Sequence, residues 1–175
     1  MTDALLNAVS RYVTAHADPA GLAQTPIAGL TTIRSNAPSG LVHAISRPLV
    51  CLVLQGRKQV AMGTQTFTFG AGDSLLITAD VPTVSQITRA SDAAPYLSLV
   101  FDIDPAVIAE LTLQMGAVSV TDGAAVRVEL TDGEVADAAL RLMRLLERPA
   151  AVPVLHAQLV REMHYWLLAG RHGPA

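Results

Sequence analysis

The chain has one cysteine, Cys51, among its 175 residues. An internal disulfide framework is therefore impossible, and a reducing cytoplasm is the expected compartment. Charged residues make up only 15% and the formal net charge is −3, so the composition provides no cationic footprint for nucleic acid. No uninterrupted apolar run approaches the roughly 18 residues that span a bilayer, which predicts no membrane partner. Residues 1–20 include Asp3, Asn7 and Arg11 and lack the apolar core of a signal peptide. There is no internal repeat and no low-complexity tract.

Metal ligands are scarce where a site would need them. Three or four His, Glu or Asp side chains must converge to hold a transition metal. The β-rich part of the chain supplies a single His, His43, and residues 56–73 contain neither His nor Glu. No metal and no cofactor are expected. His156, His164 and His172 are eight apart and do not suggest a second site. No catalytic residues are expected either. Cys51 lies in a continuous apolar run, where a thiol stays neutral and unreactive. Ser74, Ser85, Ser91 and Ser98 lack a Gly-x-Ser-x-Gly context. Asp73 stands in a Gly-Asp turn, where carboxylates ordinarily bond backbone, and Gly70–Asp73 lacks the Lys and following helix of a phosphate loop.

Apolar residues are abundant at 51%. They allow one domain with a substantial core and exclude a disordered chain. With so few charges, some apolar surface is expected to be covered by a partner. The central stretch, residues 49–78, opens on Leu49-Val50-Cys51-Leu52-Val53-Leu54. It continues through Gln55-Gly56-Arg57-Lys58, a turn at Met62-Gly63-Thr64, alternating Gln65–Phe69, a second turn at Gly70–Asp73, and Ser74–Thr78. Short β-rich runs between Gly turns predict an antiparallel meander or barrel, with Gly56 as a bulge or bend. Leu30–Arg34, Leu41–Ile45, Val84–Arg89 and Tyr96–Phe101 read as further strands. Six to eight strands over about 25–103 suffice to close a small barrel. Arg57-Lys58 is the only adjacent basic pair in this stretch. It reads either as solvated hairpin charge or as a contact for an anionic ligand group at the barrel mouth.

Helices flank the strands. Thr2-Asp3 caps a predicted helix over Ala4–Ala15, followed by an irregular lead-in at Leu22–Pro26. Asp104-Pro105 is a helix start; Val107, Ile108, Leu111 and Met115 form its apolar face, and Gly116 ends it. Residues 117–130 read as a loose edge strand or a linker. Thr131–Glu134 has capping-box spacing and opens a helix carrying Val135, Ala138, Leu142, Leu145 and Leu146, with Asp137 and Arg141 as an i,i+4 pair. Val154–Ala169, with Leu155, Leu159, Met163, Trp166 and Leu167, is the last helix, and Gly170 is its C′ residue. The connector 148–153 is too long and Pro-rich for a DNA-binding helix-turn-helix. An antiparallel helical hairpin with a partner-facing stripe fits better. Its candidate dimer contacts are Leu142, Leu145, Leu146, Leu159, Met163 and Trp166.

The string Pro48–Val60, with Gln55-Gly56-Arg57-Lys58 at its centre, resembles the N-terminal domain of AraC-type transcriptional regulators. So do Phe69–Leu76, Val81-Pro82, Ala90-Ser91, Pro95–Leu97, Arg141–Pro149 and Arg161–Gly170. The resemblance implies an α+β, mainly β domain: a cupin-like antiparallel β-barrel at 25–103 that binds a small-molecule effector, and a helical dimerisation subdomain at 104–175, with 1–24 as helix and lead-in. Catalytic cupins carry a His-x-His pair that this chain lacks. The resemblance further implies a homodimer, and DNA binding only through a C-terminal domain not present in this chain, which reads as a fragment of a longer regulator. Positions matching the sugar-contacting ones of relatives are Gln55, Leu97 and Leu99, which argues against a sugar. With Leu97 and Leu99 inward, parity also turns Phe101 inward, and Cys51, Val53 and Gln55 share a face. A small, largely apolar effector is expected against His43, Cys51, Val53, Gln55, Arg57, Leu97 and Leu99. A cupin-type metal-dependent enzyme and a ligand-free dimerisation module are the alternatives.

Overall fold

The computed structural model describes residues 3–116 and 124–169. Helix α1 (Asp3–His16) leads into strands β1 (Leu22–Gln24), β2 (Leu30–Ser35), β3 (Val42–Ser46), β4 (Leu49–Gln55), β5 (Arg57–Met62), β6 (Gln65–Gly70), β7 (Asp73–Ile77), β8 (Val81–Arg89) and β9 (Tyr96–Asp102). Then come α2 (Pro105–Met115), β10 (Val126–Leu130), α3 (Gly133–Leu145) and α4 (Val152–Ala169). The strands form two antiparallel sheets, β1-β2-β9-β4-β7-β10 and β3-β8-β5-β6. The closed barrel expected from strand count is thus corrected to an open sandwich. At Gly56 the chain leaves the larger sheet and enters the smaller one, so a single long strand becomes two short ones. No ladder joins β2 to β3 and seals the open side.

The larger sheet is the middle of three layers. One face carries Leu30, Val50, Leu52, Leu54, Leu76, Leu97, Leu99 and Phe101 against the buried sides of α1, α3 and α4. The other carries Cys51, Val53, Leu75, Ile77, Tyr96 and Val126 against Val60 and Phe69 of the smaller sheet. A strand covered on both faces gains nothing from alternation. That is why Leu49–Leu54 reads as one unbroken apolar run.

Local signals fix several boundaries. Asp104 caps α2, its side chain accepting from the Ala106 amide at 2.9 Å, with Pro105 in the first turn. Gly116 closes it at φ 82°. Of the expected apolar face of α2, Leu111 is buried and Val107, Ile108 and Met115 are partly buried. The cap of α3 is Asp132, which accepts from the Glu134 amide at 2.8 Å, rather than Thr131. The Thr131 hydroxyl instead pairs with Ser74 of β7 at 2.6 Å. The lead-in at Leu22–Gln24 is a paired strand, and β10 pairs with β7 as an edge strand. The expected Thr2 cap, Val118, Val120, Gly170 and His172 lie outside the described residues.

The α3–α4 contact explains two of the motif segments. Arg141 does not rest on Asp137; its guanidinium grips the Glu162 carboxylate through both terminal nitrogens. Trp166 Nε1 donates to the same carboxylate at 2.8 Å. The Arg141 hydrogen bonds, and then that of Trp166, pull the Glu162 pKa from 4.5 to about 2. His164 is fully buried. Its Nδ1 bonds the Val160 carbonyl and its Nε2 accepts the Asp104 amide, each at 2.8 Å, so the ring is neutral. It meets the Phe101 ring edge-on at 5.1 Å. One imidazole thereby ties α4 to the junction of β9 and α2.

Candidate functional site

Strand register defines the space between the sheets. In β9, Tyr96 and Val100 belong to the inner cluster while Leu97, Leu99 and Phe101 belong to the helix-side core. The expectation that Leu97 and Leu99 line the interior is therefore corrected: they pack beneath the helices. Both faces of β9 are covered and apolar, so sequence parity had no arbiter between them. Tyr96, Ser98 and Val100 point inward instead.

The centre of the inner space is packed. Cys51, Val53, Val60, Phe69, Leu75, Ile77, Tyr96 and Val126 are buried there. Around them Ile33, Met62, Phe67, Val81, Ile87, Val100 and Val128 are only half-buried. This unclosed space, packed at its centre and rimmed by partly buried apolar side chains, is the inter-sheet cleft. Its polar groups are few. The Tyr96 hydroxyl lies 4.0 Å from Cys51 Sγ. Burial, then the Cys51 thiol, push the Tyr96 pKa well above 10.0, so the phenol stays protonated. The Ser98 hydroxyl partly counters that shift. Yet Ser98 Oγ is fully buried without a hydrogen bond of normal geometry. A buried hydroxyl without a partner loses its hydration uncompensated.

The Gln55–Lys58 string builds one end of this cleft. Gln55 Nε2 donates to the Pro95 carbonyl at 2.8 Å, which fixes the loop before Tyr96 and leaves that amide engaged. Gly56 adopts φ 84°, and a Cβ there would meet the Arg89 carbonyl at 2.6 Å and Tyr96 Cα at 3.0 Å. Only glycine permits so close an approach. In β5, Lys58 stands opposite Phe69 and Ile87, both of the inner cluster. Lys58 is thus on the inner face and Arg57 on the outer, opposite Arg89.

Of the expected ligand contacts, Cys51 and Val53 face the cleft and Gln55 braces its end. Arg57 faces out. His43 is exposed on edge strand β3, beside a shallow depression of about 450 Å³ with Ile45, Ala61 and Val84. Tyr96 and Ser98 are not among the expected ligand contacts, and Lys58 was expected only as one half of the Arg57-Lys58 pair. Among the described residues no group of three or more His, Cys, Asp or Glu is placed to hold a metal ion, and no helix is long and apolar enough to cross a membrane. The expected dimer contacts also need correction. Leu142, Leu145 and Met163 are buried inside the protomer, where no second copy reaches them. Leu146, Leu159 and Trp166 are half-buried against the same core. The exposed apolar residues of the helices are Leu113 on α2 and Val154, Leu155 and Tyr165 on α4.

Comparison with known proteins agrees with this architecture. A family model described as the AraC-type transcriptional regulator N-terminus matches residues 26–175. The AraC-like transcriptional activator CuxR superposes with a TM-score of 0.56 at 15% identity, over 82% of this chain and 52% of that one. Apo ToxT from Vibrio cholerae does so with a TM-score of 0.54 at 6% identity, over 81% of this chain and 55% of that one. At such identities the likeness is one of fold. The chain spans about half the length of both solved regulators. A search of curated proteins gives no match.

Proposed function

Since the chain belongs to the AraC-type transcriptional regulators, matched over residues 26–175 by their N-terminal domain, we propose that it senses a small-molecule effector in the inter-sheet cleft and dimerises through its helices. A helix-turn-helix domain C-terminal to this chain would bind DNA. The reading assigns no catalytic step to the domain. The observation that supports it is the unclosed pair of sheets: partly buried apolar side chains rim an inner cluster in which the buried Ser98 hydroxyl has no hydrogen bond of normal geometry. Such a site suits a small, mostly apolar molecule with few polar groups. Effector control requires that the molecule bind two arrangements of the regulator with different affinity.

A thermal-shift screen tests the sensing role, because a ligand that binds the native state alone raises Tm. Hits should lose their effect on Ile33→Trp, which fills the rim of the cleft. Hits that stabilise Ile33→Trp as well as the native chain would place binding elsewhere.

For dimerisation, Val154, Leu155 and Tyr165 on α4 replace the buried residues. Val154 and Tyr165 lie on one helical face, eleven residues apart, and Val154 is 71% exposed. The double variant Val154→Glu/Tyr165→Glu should run as a monomer in light scattering. An unchanged mass would move the interface off this face.

A further inference from the structure

The two sheets end in four edge strands, and three of them are blunted. Strand β1 has only three residues. Strand β10 carries the charges of Arg127 and Glu129. Strand β6 packs against β7 and β10 of the larger sheet. Strand β3 has none of these protections. It runs for five residues, Val42-His43-Ala44-Ile45-Ser46, without an acid, a lysine, an arginine or a proline. It pairs with β8 on one side, and among the described residues no strand lies along the other. A bare edge of this kind presents unpaired N–H and C=O groups and templates pairing with another chain. The side chains agree. Val42 shares the inner face with Val60, through Ser85 of β8, whereas Ile45 lies on the outer face. Val42 is 53% and Ile45 67% exposed, and Leu41 just before them is 63% exposed. A strand whose apolar side chains are exposed on both faces is covered by nothing in its own protomer.

We infer that β3 is a self-pairing edge: it joins antiparallel to β3 of a second copy about a two-fold axis at Ala44, so that the two smaller sheets become one continuous sheet. The strand is its own complement in this register. The small Ala44 meets the partner's Ala44 at the axis. His43 stands opposite the partner's Ile45, and Val42 opposite the partner's Ser46. No charge lies within the ladder, and Arg47, the first cation beyond it, falls at opposite ends in the two copies, so like charges do not meet across the pair. The contact is separate from the one assigned to α4. The helices cover the far face of the larger sheet and β3 belongs to the smaller sheet on its other side, so both contacts can be made at once. A ladder of five residues is small beside the roughly 1,200–2,000 Å² of a stable interface. Pairing through β3 is therefore a weak contact that fills as concentration rises.

Cysteine cross-linking on the 175-residue chain tests the register. The one native thiol, Cys51, is buried. Ala44→Cys places two thiols directly across the axis, where opposed Cα atoms are about 4.5–5.5 Å apart and a disulfide closes. His43→Cys places them on a diagonal, beyond the roughly 7 Å that a disulfide spans. Under mild oxidation Ala44→Cys should form a covalent dimer about tenfold faster than His43→Cys or more. Adding Ile45→Lys should slow it by a similar factor, because lysine on an edge strand opposes pairing. Equal rates for the two cysteine variants would mean random collision and overturn the pairing, as would a rate that Ile45→Lys does not move. An edge filled by a strand of another kind would leave Ala44→Cys monomeric after oxidation, which also overturns it. Sedimentation separates this contact from the helical one. Ile45→Lys should remove the concentration-dependent growth in mass and keep the α4 dimer, whereas Val154→Glu/Tyr165→Glu should remove that dimer and keep the Ala44→Cys disulfide. A chain that Ile45→Lys alone makes monomeric would support the β3 contact and refute the one through α4.

Discussion

Gly56 and Gly63 together separate backbone strain from steric contact. Both have positive φ, 84° and 59°. A Cβ on Gly63 meets nothing within 4 Å, whereas one on Gly56 meets the Arg89 carbonyl at 2.6 Å and Tyr96 Cα at 3.0 Å. Gly63→Ala should therefore cost only the left-handed conformational penalty, about 1–2 kcal/mol. Gly56→Ala carries the same penalty and must also push apart β5, β8 and β9. The contact atoms are backbone, with no flexible side chain to give way, so an additional cost of about 1–3 kcal/mol is expected, as for overpacked cores. The total of about 2–5 kcal/mol would lower Tm by several degrees, at about 2–4 °C per kcal/mol for a domain of this size. Urea unfolding at 25 °C on the two variants and the native chain measures the difference directly. Equal destabilisation of Gly56→Ala and Gly63→Ala would refute the close approach at Gly56, and with it the account of how the cleft end is assembled.

Other consequences follow from the helix-side contacts. Burial holds the His164 pKa below its usual 6.5, against the opposing pull of the Val160 carbonyl and the Asp104 carboxylate. The unfolded chain then binds more protons between the two values, so stability is full above about pH 6.5 and falls as pH drops through that window toward the folded pKa. Unfolding series from pH 7.5 to 5.5 should show a steeper loss in the native chain than in His164→Gln; parallel slopes would deny the imidazole its role. Glu162, with a pKa of about 2, stabilises the fold above about pH 4.5 and loses that contribution as pH falls toward 2. Glu162→Gln should cost about 1 kcal/mol at neutral pH after solvent screening and alter Trp166 emission, a clean reporter because Trp166 is the only tryptophan; unchanged emission would mean the indole does not bond the carboxylate. Leu142→Ala, at a fully buried position, should cost about 2–5 kcal/mol, whereas Val154→Ala on the exposed face should stay within about 0.5 kcal/mol; comparable losses would place both in one interface.

Much of this domain was legible in its residues alone. The Asp104-Pro105 start and Gly116 stop of α2, the Gly turns of the meander and the apolar stripes of α1 and α3 are local effects, set by neighbours a few positions away. The Gln55-Gly56-Arg57-Lys58 string and the Arg161–Gly170 segment also carried the family. What the sequence alone did not determine was which side of each strand faces which neighbour. Strands β4 and β9 are apolar on both faces because the larger sheet is covered twice, so period-two reasoning pointed Leu97 and Leu99 the wrong way. Strand count allowed a closed barrel; the lack of any ladder, among the described residues, between the six-stranded and the four-stranded sheet leaves it a sandwich. Spacing offered Asp137 as the partner of Arg141, but the longer-range Glu162 reaches it with a fork, and Leu142 became core rather than interface once α3 lay against α1 and α4. The inner placement of Lys58 likewise depends on the break at Gly56, because β4 turns the odd positions Cys51 and Val53 inward whereas β5 turns the even positions Lys58 and Val60 inward.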